Sequence, residues 1–387
     1  MKKYRPFIVG IICGALLIVG AIYLVGGRMM LPGENKYYKG LNAAYGKYYK
    51  IIELIDAEAL ADYDPEKITD KVLKKVVAGL DDPYAEYYTA EEYAQFIKKY
   101  SQSYIGIGVT IAEKDGTVYV VDVLEESPAE EAGIKVGDIV AAVDGEKVNN
   151  STKASNLMVG ENGTEVKVTV KRDDKTIDYD IIRSKIANKS VDYTELDKEN
   201  HIGYIRITGF KNGTAKDFKL AVKDLKNEDY DKIIIDLREN GGGATDEAYK
   251  VADMLLPECD ILKEVNNKKE ETIRKSDASN LGIKYVILID ENSASASEMV
   301  SGAIKDNKGG KLIGSKTFGK GVTQRTTKFK DGSALKITIE EFFRPSGKKI
   351  NGVGIEPDIK VSNPHDNDAI LAIAKNVLIG DRHQLEK

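Results

Sequence analysis

Residues 232–243 read KIIIDLRENGGG, an apolar run that ends in a glycine-rich loop. Three consecutive isoleucines predict a strand that is buried on both faces. A second run, YVILID at residues 285–290, leads into the loop NSAS at residues 292–295. Helices are predicted after both loops, over residues 244–256 and 296–306. This alternation of strands and helices predicts a parallel sheet joined by right-handed crossovers.

The alternation extends to both sides of these two runs. Upstream, GYIRITGF at residues 203–210 predicts a strand, and residues 215–226 predict a helix. Downstream, the turn at residues 330–332 predicts a hairpin between QRTTKF and ALKITIEEFF. Residues 366–379 predict a final amphipathic helix. The second half of the chain is therefore predicted to be an α/β domain.

The first half of the chain contains two regions of different periodicity. Between residues 37 and 100 the apolar residues recur at helical spacing, which predicts a small helical region. Thr89 and Glu92 have the spacing of a capping box at the start of one helix. From Tyr104 the period changes to two, in IGIGVTI, TVYVVDVL, GDIVAAVDG and TEVKVTVKR. These segments predict a strand-rich module of about 80 residues, an ordinary domain size.

The N-terminus carries Lys2, Lys3 and Arg5, followed by the uncharged residues 7–27. As a helix this run would be about 30 Å long, which matches the hydrocarbon thickness of a bilayer. The sequence after it, GGRMM, offers no cleavage site of the A-x-A type, which favours an uncleaved anchor over a signal peptide. The positive residues before the run predict that the rest of the chain lies outside the cytoplasm. We therefore predict a single-pass protein of the cell membrane with an extracytoplasmic catalytic part.

The composition argues against several classes of function. Basic residues number 57 and acidic residues 62, and the two signs are interspersed. Without a basic stripe, a nucleic-acid partner is not expected. The chain has two cysteines and three widely spread histidines. Neither a disulfide nor a metal site is expected from them, and no cofactor is indicated.

The two strand-to-helix loops are predicted to be neighbours, because the carboxyl ends of parallel strands gather at one edge of a sheet. The glycine loop at residues 240–243 offers backbone N–H groups. The loop at residues 292–295 offers hydroxyls at a helix start, where developing negative charge is stabilised. Together they predict an oxyanion hole that faces a nucleophile.

Ser295 has two interpretations. With Glu298 three residues later it has the spacing of a capping box, and on this stretch alone capping is favoured over catalysis. A nucleophilic serine needs a base, and none of the three histidines lies in a strand-end loop of the core. Lys320 is the other candidate, because no acidic residue occurs between residues 316 and 330.

Lys320 must lose its proton far below the usual lysine pKa of about 10.4 to act as a base near neutrality. That requires roughly 4 kcal/mol of differential destabilisation of the ammonium, which burial without a paired carboxylate supplies. Lys320 stands between Gly319 and Gly321, which allow close packing of the backbone. For a lone lysine a solvated surface position is the better interpretation, and only the two neighbouring loops favour a catalytic one.

Two families resemble parts of this sequence. The segment YIGIG at residues 104–108, followed in order by SPA, AG and GD, resembles a PDZ domain. The succession IIIDLRENGGG, SASASEMVSGAIKD and GSKTFGKGVTQ resembles the carboxyl-terminal processing peptidases, or tail-specific proteases. These are serine peptidases with a Ser/Lys dyad. The resemblance extends from about residue 68 to residue 361.

The resemblance implies a multidomain α+β protein with an α/β core of the ClpP/crotonase type. The domains implied are a membrane anchor at residues 1–30, a helical region at 31–102, a PDZ domain at 103–186, a protease core at 187–361 and a C-terminal helical segment at 362–387. Some family members assemble through their terminal regions. A homodimer through residues 37–100 and the C-terminal helix is therefore an expectation.

Position within the family motifs implies a role for each candidate site residue. Ser295 is the nucleophile, Lys320 the general base and Gln324 a hydrogen-bond partner that orients the lysine. The oxyanion donors are the N–H groups of Ala296 and Gly242. The PDZ domain binds an apolar C-terminal tail of a protein substrate through its carboxylate-binding loop, which comprises Ile105, Gly106, Ile107 and Gly108.

Two positions depart from the family pattern. Gly241 stands where proline is usual, which predicts a more mobile glycine loop. Val159 stands where many members have arginine, so any coupling of PDZ occupancy to activity is expected to differ. Asp306 matches an aspartate of some relatives, and a structural role at a helix end is expected for it.

The resulting prediction is a membrane-anchored serine endopeptidase that captures C-terminal tails with its PDZ domain and cleaves the substrate with a Ser/Lys dyad. One alternative is a non-catalytic PDZ adaptor on a degenerate protease core, against which the intact set of Ser295, Lys320 and Gln324 argues. A second alternative is a nucleotide-binding α/β protein with a phosphate in the glycine loop. It is disfavoured because the Walker and dinucleotide motifs are absent from the sequence.

Overall fold

The computed structural model describes residues 35–101, 103–173 and 175–380. The predicted membrane anchor, residues 7–27, lies outside these ranges. The chain divides into two compact units, residues 1–71 and 72–387. The first unit contains helix α1 (Asn35–Glu58) and the start of α2 (Pro65–Ala78). Among the described helices, none combines the length and the apolar character needed to cross a bilayer.

The second unit contains all the later elements. The helices are α3 (Ala90–Tyr100), α4 (Pro128–Ala132), α5 (Ser151–Met158), α6 (Thr214–Asn227), α7 (Thr245–Leu255), α8 (Ala296–Asn307) and α9 (Asn367–Ile379). The first nine strands are β1 (Glu86–Tyr88), β2 (Ser103–Gly106), β3 (Val109–Lys114), β4 (Thr117–Val123), β5 (Ile139–Val143), β6 (Glu146–Lys147), β7 (Glu165–Arg172), β8 (Lys175–Ile182) and β9 (Ser184–Ala187). The others are β10 (Val191–Asp197), β11 (Ile202–Ile207), β12 (Lys232–Asp236), β13 (Asp260–Asn266), β14 (Glu271–Lys275), β15 (Lys284–Ile289), β16 (Lys311–Gly314), β17 (Val322–Lys328), β18 (Ala334–Phe343) and β19 (Ile359–Lys360).

The region before the strand-rich module is helical, as predicted, except for β1. Helix α3 begins at the predicted capping box, in which the Thr89 side chain accepts from the Glu92 N–H and the Glu92 carboxylate accepts from the Thr89 N–H. Strand β1, just before this box, pairs antiparallel with β18. A strand of three residues shows no periodicity of its own, and its partner lies far along the chain. This strand was therefore not predicted from the sequence.

The strand-rich module is a sheet with the order β3-β4-β5-β7-β8, and β6 adds to it by pairing with β5. Alternate strand positions supply its core, which includes the fully buried Val118, Val166, Val168 and Val170. Within the described residues β3 has only one strand neighbour, β4, so its other edge is unpaired. Helix α5 lies against β3 and β5. A groove therefore runs between α5 and the free edge of β3.

The second half of the unit is built on a sheet with the order β10-β11-β12-β15-β16-β19. In this sheet the strands β11, β12, β15, β16 and β19 are parallel and β10 is antiparallel at one edge, which confirms the predicted parallel core. Side chains of β12 alternate between two apolar clusters. Ile233 and Ile235 pack with α6, α7 and α8, while Ile234 packs with α9. Burial on both faces explains the uninterrupted apolar run in this strand.

A second sheet has the order β1-β18-β13-β14, with β17 paired to β18. The β17–β18 pair is antiparallel and confirms the predicted hairpin. The loop that carries Lys320 leads directly into β17. This sheet therefore positions Lys320, and the parallel sheet positions Ser295.

Candidate active site

The glycine loop and the serine loop are in contact. They follow β12 and β15, which are adjacent parallel strands. The Ala294 N–H donates to the Asn240 carbonyl at 3.0 Å, and the Ser297 hydroxyl donates to the same oxygen at 2.8 Å. The predicted proximity of the two loops at the carboxyl edge of the sheet is thus confirmed.

Ser295 lies at the start of α8 in an unusual backbone conformation, with φ 55° and ψ −110°. Non-glycine residues rarely adopt a positive φ, and such strain is concentrated at functional sites. The residue is 7% exposed. Its N–H donates to the Glu298 carboxylate at 2.9 Å, which is the glutamate half of the predicted capping box. The helix start thus fixes the backbone of Ser295.

Glu298 does more than cap the helix. Its Oε2 accepts from the N–H groups of Ser295 and Lys320, at 2.9 and 2.8 Å. Its Oε1 accepts from the Thr317 hydroxyl at 2.6 Å and from the Gly319 N–H at 2.8 Å. The side chain is fully buried. One carboxylate therefore joins the serine loop to the lysine loop, a role that the capping-box spacing did not reveal.

The lysine loop is packed closely on its neighbours. The Phe318 N–H donates to the Ser293 carbonyl at 3.1 Å. A Cβ on Gly321 would lie 2.3 Å from the Asn351 backbone nitrogen, so this position has no room for a side chain. The Lys320 ammonium lies 4.6 Å from the centroid of the Tyr84 ring. Tyr84 belongs to the segment before β1, whose approach to the lysine the sequence did not predict.

The surroundings of Lys320 favour its uncharged form. Burial lowers its pKa from the ordinary value of 10.5, and the positive charge of Lys336 lowers it further, whereas Asp82 and Glu298 oppose the shift. Within the described residues Lys320 has no ion pair. The direction of the shift is the one that a general base requires.

Two predicted contacts of the dyad are not made among the described residues. Within the described residues, no hydrogen bond joins the Lys320 amine to the Ser295 hydroxyl. The Gln324 amide donates to the Val322 carbonyl and to the Thr338 hydroxyl, both at 3.3 Å, and in the described part of the chain no hydrogen bond joins Gln324 to the Lys320 amine. Apo sites often hold such groups farther apart than the reacting complex does. The roles of these residues stay predictions.

The two predicted oxyanion donors differ in their hydrogen bonding. In the described part of the chain, the Ala296 N–H donates no hydrogen bond. The Gly242 N–H donates to the Asn240 side-chain oxygen at 2.9 Å and is thus engaged within its own loop. Gly242 has φ +99°, and a Cβ there would lie 2.9 Å from Ser295 Cβ. The glycine therefore allows the two loops to touch, although its N–H faces Asn240.

The other candidate side chains have structural partners. The Ser293 hydroxyl donates to the Leu237 carbonyl at 2.8 Å. Asp306 accepts from Arg344 and from the Ser346 N–H, consistent with the structural role expected at a helix end. Within the described residues, neither side chain hydrogen-bonds to Ser295 or Lys320.

His365 lies in no strand-end loop, as its place in the sequence indicated, but the segment before α9 folds back and brings it to these loops. Its Nε2 lies 3.1 Å from Glu291 and its Nδ1 lies 3.5 Å from Glu239. Asp290, Glu239 and His365 are close enough together to hold a metal ion. The Glu291 carboxylate raises the pKa of His365. Both ring nitrogens face carboxylates, and in the described residues neither forms a hydrogen bond with Ser295.

The residues of the predicted carboxylate-binding loop lie at the start of the strand-rich module. Ile105 and Gly106 pair with β9. Within the described residues, the N–H groups of Ile107 and Gly108 donate no hydrogen bond. Gly108 has φ +87° and a Cβ there would lie 2.3 Å from Ser127 Cβ, so the turn requires glycine. Two free N–H groups at the head of the groove suit a carboxylate.

Replacing Glu298 with glutamine should lower the free energy of unfolding by about 3 kcal/mol and lower kcat at least about tenfold, because an NH2 group would face two of the four donors. Thermal unfolding and a peptidase assay measure the two effects. The matched control, Glu356→Gln, alters an exposed carboxylate near the same loop and should change stability by less than about 0.5 kcal/mol. Equal stability and activity of the two variants would contradict the joining role of Glu298.

Comparisons with known proteins agree with this architecture. Residues 103–182 match the PDZ domain and residues 201–361 match peptidase family S41. The chain is 35% identical over 385 residues to a protein named "Probable CtpA-like serine protease" from Staphylococcus haemolyticus, in an alignment covering 96% of this chain and 77% of that protein. A protein of the same name from Staphylococcus aureus is 35% identical over 394 residues, covering 98% and 77%.

The fold also resembles a solved structure, the photosystem II D1 C-terminal processing protease. The TM-score is 0.51 at 27% identity, over 86% of this chain and 91% of that one. Fold, loops and relatives together define a serine peptidase that carries a PDZ domain. The chain belongs to peptidase family S41.

Proposed function

We propose that the chain is a membrane-anchored endopeptidase that captures C-terminal tails of protein substrates and cleaves them with Ser295 and Lys320. The observation that carries the proposal is the Glu298 carboxylate, which accepts from the N–H groups of both residues. It keeps the nucleophile loop and the base loop together. A non-catalytic adaptor would not need this buried connection.

In the proposed reaction the Ser295 hydroxyl attacks a peptide carbonyl while the Lys320 amine takes its proton. The amine must leave the Tyr84 ring and reach the hydroxyl for this step. The oxyanion is stabilised by the free Ala296 N–H and by a donor from the glycine loop. Lys320 then gives its proton to the leaving amine. Water hydrolyses the acyl-enzyme with the same lysine as the base.

The second oxyanion donor depends on the glycine loop. The Gly242 N–H must leave the Asn240 side chain before it can serve a substrate oxygen. An added Cβ on Gly241 would have no atom within 4 Å, so there is open space on that side of the loop. We propose that substrate docking turns this loop and frees the Gly242 donor.

Tail capture is supported by the groove between β3 and α5. An extended peptide can add to the free edge of β3, and its terminal carboxylate can accept from the N–H groups of Ile107 and Gly108. The groove is lined by apolar side chains, among them Val109 and Met158, which suits an apolar tail. The similar protein of known structure is, by its name, a C-terminal processing protease.

The test is cleavage of one unfolded protein with and without an apolar C-terminal tail. We expect both forms to be cut, and the tailed form to have a lower KM, because the groove holds the chain near the active site. Gel electrophoresis and mass mapping follow the products. If neither form is cleaved, the peptidase mechanism is rejected. If both forms are cleaved with equal KM values, tail capture is rejected.

Membrane attachment rests on residues 7–27, whose structure is not described. We expect the full chain to sediment with membranes after alkaline carbonate washing and a form lacking residues 1–30 to remain in the supernatant. Sedimentation of both forms would contradict the anchor.

A further inference from the structure

A cavity of about 250 Å³ lies at the head of the PDZ groove, and it is not made by the PDZ domain alone. Four regions line it: the loop and strand at residues 104–111, helix α5 with Val159, Asn188 after β9, and helix α3. Helix α3 precedes the PDZ domain in sequence. Its contribution consists of Gln95 and Lys98.

Lys98 is the one charged residue among the side chains that line this cavity. Within the described residues it has neither an ion pair nor a side-chain hydrogen bond. The residue is half-buried, and this burial lowers the pKa of its ammonium. An isolated, partly desolvated cation in an otherwise neutral and largely apolar pocket lacks a counter-ion.

Helix α3 is fixed in place at both ends. The Glu91 carboxylate accepts a hydrogen bond from the Asn156 amide of α5. At the other end, the Asn212 N–H donates to the Tyr100 carbonyl at 3.1 Å, and the Asn188 amide donates to the Ser101 carbonyl at 2.9 Å. Lys98 therefore belongs to a wall of the groove and not to a mobile segment.

A bound tail would bring the missing anion. In a PDZ groove the terminal carboxylate lies at the free N–H groups of the binding loop, here Ile107 and Gly108, which line the same cavity as Lys98. Those N–H groups are neutral donors. A hydrogen bond to a charged partner is stronger than one between neutral groups, so an ammonium at this position adds selectivity for a free chain end.

We propose that Lys98 of helix α3 binds the C-terminal carboxylate of the substrate tail and makes the groove selective for free chain ends. This inference rests on the proposed capture of tails and adds to it a specificity residue from outside the PDZ domain. An internal segment or an amidated end would leave the ammonium unpaired in the pocket. Such ligands are therefore disfavoured.

The test measures binding of a short fluorescent peptide that ends in valine, as the free acid and as the amide, to the full chain carrying Ser295→Ala. We expect the free acid to bind at least about tenfold more tightly than the amide. Adding Lys98→Gln should lower the affinity for the free-acid peptide about tenfold and leave the affinity for the amidated peptide unchanged within about twofold. Lys98→Arg, which keeps the charge, should retain the preference for the acid.

The matched control is Lys175→Gln, which removes an exposed lysine at the start of β8 and should alter neither affinity. Equal weakening of acid and amide by Lys98→Gln would indicate a structural role and overturn the proposal. An unchanged acid-to-amide ratio would overturn it while tail capture stands. If neither peptide binds before Lys98 is changed, both the capture of tails and the role of Lys98 are rejected.

Discussion

Replacing Ser295 with alanine should lower kcat/KM by about 10⁴-fold or more, because no other group can form the acyl-enzyme once the attacking hydroxyl is gone. Folding should be retained, since the contact that fixes the helix start uses the Ser295 N–H, which alanine keeps. Steady-state hydrolysis of a fluorogenic peptide measures the loss. Thermal unfolding checks the fold.

Ser301 provides a matched control on the same helix. Its hydroxyl is buried and has no hydrogen-bond partner among the described residues. Ser301→Ala therefore removes an unsatisfied polar group and should leave kcat/KM within about twofold and stability equal or slightly higher. Substantial peptidase activity in freshly purified Ser295→Ala protein, or equal losses in both variants, would contradict the assignment of the nucleophile.

Replacing Lys320 with alanine or arginine should lower kcat about 10³-fold, the usual scale for loss of a general base. Arginine is the sharper substitution, because it keeps the charge near Tyr84 but cannot give up its proton at accessible pH. The affinity for tail peptides should be unchanged, since Lys320 lies outside the groove. Peptide hydrolysis and fluorescence anisotropy separate the two effects.

The pH dependence of the wild-type enzyme follows from the direction of the Lys320 pKa. The base must be unprotonated, so kcat/KM should rise with pH and be lost as the pH falls through the pKa of Lys320. Burial and the charge of Lys336 place this pKa below 10.5. Lys336→Gln removes the positive charge that lowers the pKa of Lys320, so the rise of kcat/KM should move to higher pH. The role of Lys320 as the base would be contradicted if Lys336→Gln left the pH profile unshifted and Lys320→Arg kept full activity.

The parallel core was predictable because its central strands, β12 and β15, are buried on both faces and therefore consist mainly of apolar residues. The apolar runs KIIIDLR and YVILID indicate buried parallel strands. Because the carboxyl ends of such strands lie at one edge of the sheet, the two loops that follow them were predicted to be neighbours. The hairpin after Lys320 was predictable from its turn. These features depend on short segments, in which the chemical environment of each residue is fixed by local structure.

What the sequence did not reveal depends on contacts between distant segments. Tyr84 reaches Lys320 only because β1 pairs with β18, and a strand of three residues has no recognisable pattern. Glu298 was predicted as a cap, but three of its four donors come from the lysine loop. The hydrogen bond from the Gly242 N–H to the Asn240 side-chain oxygen was also not predictable, because residue spacing does not determine the orientation of a side-chain amide.

The central claim is that the uncharged amine of Lys320 activates Ser295. The most direct measurement is the rate at which a fluorophosphonate labels the protein as a function of pH, with the labelled residue identified by peptide mass mapping. We predict labelling at Ser295, at a rate that rises with a midpoint below 10.5 in the wild type and that is about 10³-fold slower, without this midpoint, in Lys320→Arg. Labelling at another residue, or the same pH profile in both proteins, would contradict the claim.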